Sequence, residues 1–423
     1  MHHFEYRDGI LHAEDVPLPA IAKSVGTPVY VYSAATITRH YRVFAEAFAG
    51  DPHLVCYAVK ANSNQAVLRL LADLGAGFDI VSGGELARLQ ALGVAGERIV
   101  FSGVGKTEEE MRAALEAGIR CFNVESEPEL VRLSAVAEGM GRKAPVSIRV
   151  NPDVDAGTHE KISTGRRADK FGIAWLKARE VYARAAALPG ITVCGVDMHI
   201  GSQITDLAPF ERAFTLLAEL VEILRRDGHD IRHVDLGGGL GVPYHGDTDI
   251  PPHPRDYAAM VRRVLGHLNV EYLMEPGRLI VGNAGILLGR VLYVKEQDGK
   301  TFVITDIGMN DLIRPTLYEA FHHILPVREP AADAPRRAVD VVGPVCETGD
   351  YVARNRPMPP LREGDLLAVM TAGAYGAVQA STYNTRPLVP EVMVQGREMA
   401  IVRPRLSAED LIRLDCLAPW QKT

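Results

Sequence analysis

The chain has 423 residues, 47% of them hydrophobic, which is enough for two domains with proper cores. Lysine and arginine total 46 against 53 aspartates and glutamates, and the resulting formal charge of -7 argues against a nucleic-acid binder, which would show a basic face. No apolar run is long enough to cross a bilayer, and the opening Met1-His2-His3-Phe4-Glu5-Tyr6-Arg7-Asp8 lacks the basic and apolar regions of a signal peptide. Five cysteines (Cys56, Cys121, Cys194, Cys346, Cys416) are odd in number and scattered without metal-ligand spacing. They predict neither a disulfide framework nor a metal site, and they suit a reducing cytoplasm.

The first thirty or so residues are broken by Pro17, Pro19 and Pro28, and Thr27-Pro28-Val29-Tyr30-Val31-Tyr32 reads as a strand. Residues 34–49 read as a helix with Ser33 as its N-cap. From Val55 the chain becomes rhythmic. Strands are expected at 55–59, 78–81, 98–101, 121–124, 146–150, 192–199, 233–236 and 271–274. Helices are expected at 65–74, 84–92, 108–117, 127–138, 177–187, 210–226 and 257–265. This alternation implies a parallel sheet. A count of eight, with no GxGxxG turn after the first strand, favours a closed (β/α)8 barrel over a doubly wound open sheet. After Arg278 the texture shifts to short β-like runs at 284–294, 301–305, 338–342, 366–370, 391–394 and 398–402. The expected division is a barrel over residues 35–280 and a mostly β domain made of 1–34 and 281–423, with the strand near Val29 joining the β domain.

Active sites of such barrels lie at the carboxyl ends of the strands. Those ends carry Lys60, Asp79 with Ser82, Ser102-Gly103, Glu125, Arg149 with Asn151, His199, Gly237-Gly238-Gly239, and Glu275 with Arg278. The set is richer than turns alone require. Lys60 closes the first of these strands. Partial burial there would disfavour an ammonium and leave a nucleophilic amine, although a lysine at a strand end also snorkels to water.

Five motifs carry a resemblance. They are Tyr57-Ala58-Val59-Lys60-Ala61-Asn62, His199-Ile200-Gly201-Ser202, Gly237-Gly238-Gly239-Leu240-Gly241, Glu275-Pro276-Gly277-Arg278 and Gly343-Pro344-Val345-Cys346-Glu347. In this order they resemble the alanine-racemase-like enzymes that use pyridoxal 5'-phosphate. Within these they resemble the decarboxylase branch, and most closely the diaminopimelate decarboxylases. The resemblance implies that Lys60 holds the cofactor aldehyde as a Schiff base and that His199 stacks on its ring. It implies that Ser202, Gly237, Gly238, Gly239, the turn Glu275-Pro276-Gly277-Arg278 and Tyr375 bind the cofactor. Glu275 would keep the pyridine nitrogen protonated, favouring decarboxylation over racemisation.

By the same resemblance, Arg314, Tyr318, Arg278, Glu347 and Tyr375 would bind the substrate. Arg314 and Tyr318 would take the distal carboxylate, and Glu347 the distal ammonium. Cys346 would donate a proton from a partner subunit, implying a homodimer. The expected reaction is conversion of meso-2,6-diaminopimelate to L-lysine and CO2. The alternatives are a related decarboxylase of ornithine, arginine or a carboxylated polyamine, and a non-catalytic carrier of the cofactor. Tyr383-Asn384-Thr385-Arg386-Pro387 matches the family's closing segment, whereas Thr348 stands where serine is usual. The insertion at 155–170 resembles a mobile loop, and a lid is expected there.

Overall fold

The eight apolar runs become the eight strands of a closed parallel barrel. The computed structural model describes residues 2–155, 164, 170–245 and 250–421. The barrel strands are β1 (His53–Ala58), β2 (Gly77–Ile80), β3 (Ile99–Phe101), β4 (Cys121–Val124), β5 (Ala144–Asn151), β6 (Ile191–Asp197), β7 (His233–Asp235) and β8 (Glu271–Met274). Each pairs in parallel with the next, and β8 returns to β1 through Tyr272–His53, Leu273–Leu54 and Met274–Val55. That last pairing excludes the open sheet. A short strand, Ile173–Ala174, adds to β5 outside the ring.

The strands form where they do because their runs are apolar on both faces, as a sheet wrapped by helices requires. Val100, Phe101, Phe122, Val124, Val146, Ile148, Val196 and Leu273 are fully buried. The helices are amphipathic and capped. Ser82, Thr107 and Ser126 each accept a backbone N–H three residues on, and Thr107 with Glu110 forms a capping box. Helix Ala208–Arg226 buries Phe210, Phe214, Leu217, Val221 and Leu224, which recur at helical spacing. Tyr257, on the helix Pro254–Leu265, meets Phe210 edge-on at 5.2 Å. A fully buried side chain of this kind contributes about 2–3 kcal/mol.

The barrel interior is not uniformly apolar. Ser147 on β5 and His233 on β7 hydrogen-bond at 2.7 Å. A Cβ on Gly195 would sit 2.2 Å from His233 Nε2, so only glycine on β6 leaves room for that pair.

Contacts divide the chain into two units. One is Thr38–Pro243 with Asp247–Ile280, and the other is Met1–Ile37, Tyr244–Gly246 and Val281–Thr423. The second unit is mostly sheet, built on β9 (Gly285–Gln297). The first half of β9 is buried between Val29–Ser33 and Leu366–Val369, and its exposed second half pairs with Lys300–Thr305. Strand Val29–Ser33 therefore joins the β unit as expected, and it also runs parallel to Glu391–Gln395. Leu11, Ile21, Val29, Val31, Ile286, Leu288 and Val392 form its core.

Several elements were not anticipated, among them the helix Leu18–Val25, an N-terminal hairpin and the strand Tyr351–Met358. Phe4–Arg7 and Ile10–Ala13 form a hairpin across Asp8-Gly9, both of positive φ. Tyr351–Met358 pairs with Arg337–Val342 despite its arginines and Pro357. Among the described residues no helix is long and apolar enough to cross a membrane.

Candidate active site

Lys60 lies in a single helical turn, Val59–Ala61, immediately after β1. Its Nζ is 2.9 Å from Asp79 Oδ2 at the end of β2, and Asp79 is fully buried while the lysine side chain is 39% exposed. The amine is partly buried, as expected at a strand end, and it is also ion-paired. Asp79 Oδ1 is buried and meets no hydrogen-bond donor among the described residues.

Glu275 follows β8, the neighbour of β1, and Ala58 N–H donates to Pro276 O at 3.3 Å across that seam. Its buried carboxyl accepts from Ser102 Oγ at 3.1 Å and from Asn123 Nδ2 at 3.2 Å. The same Asn123 nitrogen donates to Asp235 at 3.0 Å. Burial, then Asp235 and Asp79, push the Glu275 carboxyl well above the ordinary carboxylate range, and Lys60 and Arg149 oppose this. Asp235 is pushed up to about 7, mainly by burial and next by Asp197. Four acids, Asp79, Asp197, Asp235 and Glu275, are therefore buried together, with Lys60 and Arg149 as the cations acting on them.

His199 lies beyond β6. Gly238 N–H donates to its Nδ1 at 3.1 Å, so the ring proton sits on Nε2. Burial, with Arg149 and Lys60, lowers its pKa well below the usual histidine range, so the ring is neutral. The three glycines have packing reasons of their own. Gly237 N–H donates to Asp235 Oδ1 at 3.0 Å, and Gly237 and Gly239 have φ of 62° and 108°. A Cβ on Gly238 would lie 2.4 Å from Glu275 O. Two of the three N–H groups are thus engaged inside the barrel. Ser202 Oγ accepts from Arg278 Nη2 at 3.1 Å. The loops after β6 and β7 are zipped together, because Gln203 exchanges two side-chain hydrogen bonds with Val242. In the turn after β8, a Cβ on Gly277 would lie 2.9 Å from Ala61 Cβ, so the Lys60 turn and the Glu275–Arg278 turn touch with no room for a side chain.

The remaining predicted residues belong to the β unit. Arg314 opens the short helix Arg314–Tyr318 and is buried, with Nη1 2.9 Å from His322 Nε2. Tyr318 closes that helix and its hydroxyl accepts from Gln379 Nε2 at 3.2 Å. Cys346 and Glu347 are exposed on a loop. That loop is tethered by Asn384 Oδ1, which accepts from Cys346 N–H at 3.0 Å. Tyr375 has φ 55°, a left-handed conformation unusual for an aromatic residue, so the Gly373–Gly376 loop holds it in a strained conformation. Most of the anticipated lid at 155–170 lies outside the described residues; within it, Thr164 Oγ1 donates to His199 O at 3.1 Å.

Several functional neighbours escaped the sequence reading. Asn123 and Asp235 are polar residues inside apolar strands, and that interruption was the available signal. Lys106 is buried and donates to Glu129, Gly103 O and Asn123 O, so it braces the loops after β3 and β4. Glu125 and Arg149, two of the strand-end residues, form an ion pair at 3.1 Å.

The donor set at the barrel mouth fits a phosphorylated heterocyclic aldehyde. An exposed-side amine can take the aldehyde. An excess of buried acid can take a protonated ring nitrogen, and the neutral His199 offers a flat apolar face. Arg278 and Ser202 suit a phosphate.

Residues 34–282 match the family described as pyridoxal-dependent decarboxylase, pyridoxal binding domain. The diaminopimelate decarboxylase of Vibrio cholerae is 52% identical over 421 residues, covering 99% of this chain and 100% of that protein. That of Pseudomonas aeruginosa is 55% identical over 416 residues, covering 98% and 99%. The crystal structure of diaminopimelate decarboxylase from Helicobacter pylori complexed with L-lysine superposes with a TM-score of 0.90 at 40% identity, over 94% of this chain and 98% of that one. The chain belongs to the diaminopimelate decarboxylases, within the pyridoxal-dependent decarboxylase family.

Proposed function

We propose that the chain decarboxylates meso-2,6-diaminopimelate to L-lysine and CO2, with pyridoxal 5'-phosphate as cofactor. The observation that carries this is the seam between β1 and β8, where Lys60 and the buried acid Glu275 follow adjacent strands at the carboxyl end of the barrel. When bound, the cofactor supplies an aldehyde to an amine and an electron-withdrawing ring to the bond that breaks.

Lys60 is the residue that would hold the cofactor, with Asp79 fixing the position of its amine. Glu275 binds protons tightly for a carboxyl group, and Ser102 and Asn123 aim one of its oxygens. Once ionised, its carboxylate can accept from a protonated ring nitrogen and hold the proton there, which favours loss of CO2 over racemisation. His199 presents its neutral ring edge-locked by Gly238. Ser202, Arg278, Tyr375 and the backbone of Gly237, Gly238, Gly239, Pro276 and Gly277 bind the cofactor. We assign cofactor binding to residues 35–280 and substrate recognition chiefly to residues 281–423 with 1–34. Arg314 and Tyr318 take the distal carboxylate, assisted by Arg278 and Tyr375, and Glu347 takes the distal ammonium. A site holding both signs selects an amino-acid end over a bare amine.

Cys346 donates the proton that replaces CO2, and we infer a homodimer in which each subunit lends this cysteine to the other. Its exposure on the single chain supports that reading. The scattered, unpaired cysteines support work in the cytoplasm. The test is CO2 release from meso-diaminopimelate, ornithine, arginine and a carboxylated polyamine. Turnover of diaminopimelate at least a hundredfold (~10²) above the others is expected. Comparable turnover of ornithine would overturn the assignment.

A further inference from the structure

His322 is a fully buried histidine that the reaction scheme does not use. It sits just before the strand Ile324–Pro326, which pairs with Leu366–Val369, and Met370 N–H donates to His323 O at 2.8 Å beside it. Its Nδ1 lies 2.8 Å from Met370 O. A carbonyl only accepts, so Nδ1 carries the proton and Nε2 bears the lone pair. That lone pair faces Arg314 Nη1 at 2.9 Å. Tyr244 covers both groups: the Arg314 guanidinium lies 4.9 Å from its ring centroid, and the His322 ring meets it edge-on at 5.6 Å. The main chain of His322 is also held, because Arg356 Nη1 donates to its carbonyl at 2.6 Å.

A guanidinium recognises a carboxylate through one edge of a rigid plane, so its orientation has to be fixed in two ways. Stacking on Tyr244 sets the plane. An acceptor at Nη1 sets the rotation within that plane. The chemical nature of the acceptor matters as much as its position. A carboxylate there would pair with the guanidinium and cancel its charge, whereas a neutral imidazole orients it and leaves the charge available.

We infer that His322 is a positioning residue for distal-carboxylate recognition: it aims Arg314 at the amino-acid end of the substrate without neutralising it. This rests on the reading of Arg314 as the carboxylate clamp.

The test compares His322→Leu, His322→Gln and Arg314→Ala in the cofactor-loaded enzyme. It reads KM and kcat for diaminopimelate, inhibition by L-lysine, which keeps the same amino-acid end, and inhibition by 1,5-diaminopentane, which lacks the carboxylate. His322→Leu is expected to raise KM and the lysine inhibition constant together by about tenfold, with kcat changed less than about threefold. His322→Gln, whose amide oxygen can accept from Nη1, is expected to restore most of both. Diaminopentane inhibition and the absorbance of bound cofactor are expected to stay unchanged. Should His322→Leu fold poorly by circular dichroism, His322→Asn, whose amide is too short to reach Nη1, carries the same comparison. An unchanged lysine constant in the folded variant, or an equal loss for lysine and diaminopentane, would overturn the role of His322. If Arg314→Ala leaves the lysine constant unmoved, the clamp reading itself fails, a result distinguishable from failure of His322 alone.

Discussion

One amide nitrogen of Asn123 donates to both Asp235, at 3.0 Å, and Glu275, at 3.2 Å. Two buried acids on β7 and after β8 are thereby held together by a donor on β4. The Asn123 amide keeps this orientation because a flip would put its oxygen against both acids. Like-charged acids this close cannot both ionise in a buried site, so the pair retains a proton at neutral pH. Replacing Glu275 with glutamine keeps the shape and removes the acid. Turnover is expected to fall by roughly 10²–10³-fold, while the cofactor stays attached through Lys60. Steady-state rates measured beside the absorbance spectrum check this; a loss of both together would mean that the substitution had damaged the site as a whole.

The same acids predict how stability depends on pH. In the folded chain Asp235 titrates near 7, above an ordinary carboxyl near 4, and Glu275 and Asp197 are displaced in the same direction. The folded state thus binds more protons than the unfolded state between these values. The Asp235 contribution is complete below about pH 4 and disappears as the pH rises through about 7. Cofactor-free protein should melt several degrees lower at pH 8 than at pH 5.5, by roughly 2–4 °C for each kcal/mol of proton linkage. Asp235→Asn should flatten the slope. Cofactor should flatten it too, by supplying a cation to the acids. Melting temperatures across this pH range, with and without cofactor, decide it.

Lys60→Ala should abolish both the cofactor absorbance and turnover. It also leaves Asp79 buried without its 2.9 Å cation. Because the lysine side chain is partly exposed, the stability cost should be modest, about 1 kcal/mol, less than for a fully buried pair. Urea unfolding of the cofactor-free protein measures it. Persistent cofactor absorbance in the variant would remove Lys60 from the attachment.

Much of this was legible because buried parallel strands are written as apolar runs. Strands β4 and β8 were read to the residue, and the other barrel strands to within about two. Lys60, His199 and Glu275 stand out in the sequence because barrel geometry says where to look: at strand ends. What stayed hidden has a physical reason. Strand Tyr351–Met358 faces solvent at Arg354 and Asn355 and carries Pro357, so neither alternation nor propensity marks it. Asn123, Asp235 and Lys106 act through partners distant in sequence, which no local spacing encodes. The glycine run reads as a phosphate cradle, and packing adds a second reason at Gly238, where Glu275 O would lie 2.4 Å from a Cβ. Sequence pattern reports that a side chain is missing, and only packing reports what approaches instead.

Lys106 offers a test of bracing behind the site. Its ammonium and Glu129 are almost wholly buried and 2.8 Å apart, and it also donates to the carbonyls of Gly103 and Asn123. Lys106→Met strands Glu129 and two carbonyls in an apolar setting. The expected cost is about 3–5 kcal/mol, read by denaturant unfolding. The double variant Lys106→Met with Glu129→Leu should recover part of this. A single variant as stable as the parent would show that the pair is dispensable.

The proposed homodimer makes a prediction about thiols. Cys56, Cys121 and Cys194 are buried in the single chain, whereas Cys346 and Cys416 are exposed. Burial also raises the first three thiols, which suppresses their reactive thiolates further. A dissociated chain should therefore show two fast thiols toward an aromatic disulfide reagent, and an assembled enzyme only one, because Cys346 would be enclosed by the partner. In a Cys416→Ser background the remaining fast thiol should slow at least tenfold (~10×) as protein concentration rises through the dimerisation range, and activity should rise with it. Asn384→Ala, which removes the acceptor for Cys346 N–H, should lower the rate of product protonation without altering dimerisation. A Cys346 thiol that reacts equally fast at every concentration would mean that the two subunits do not share this residue.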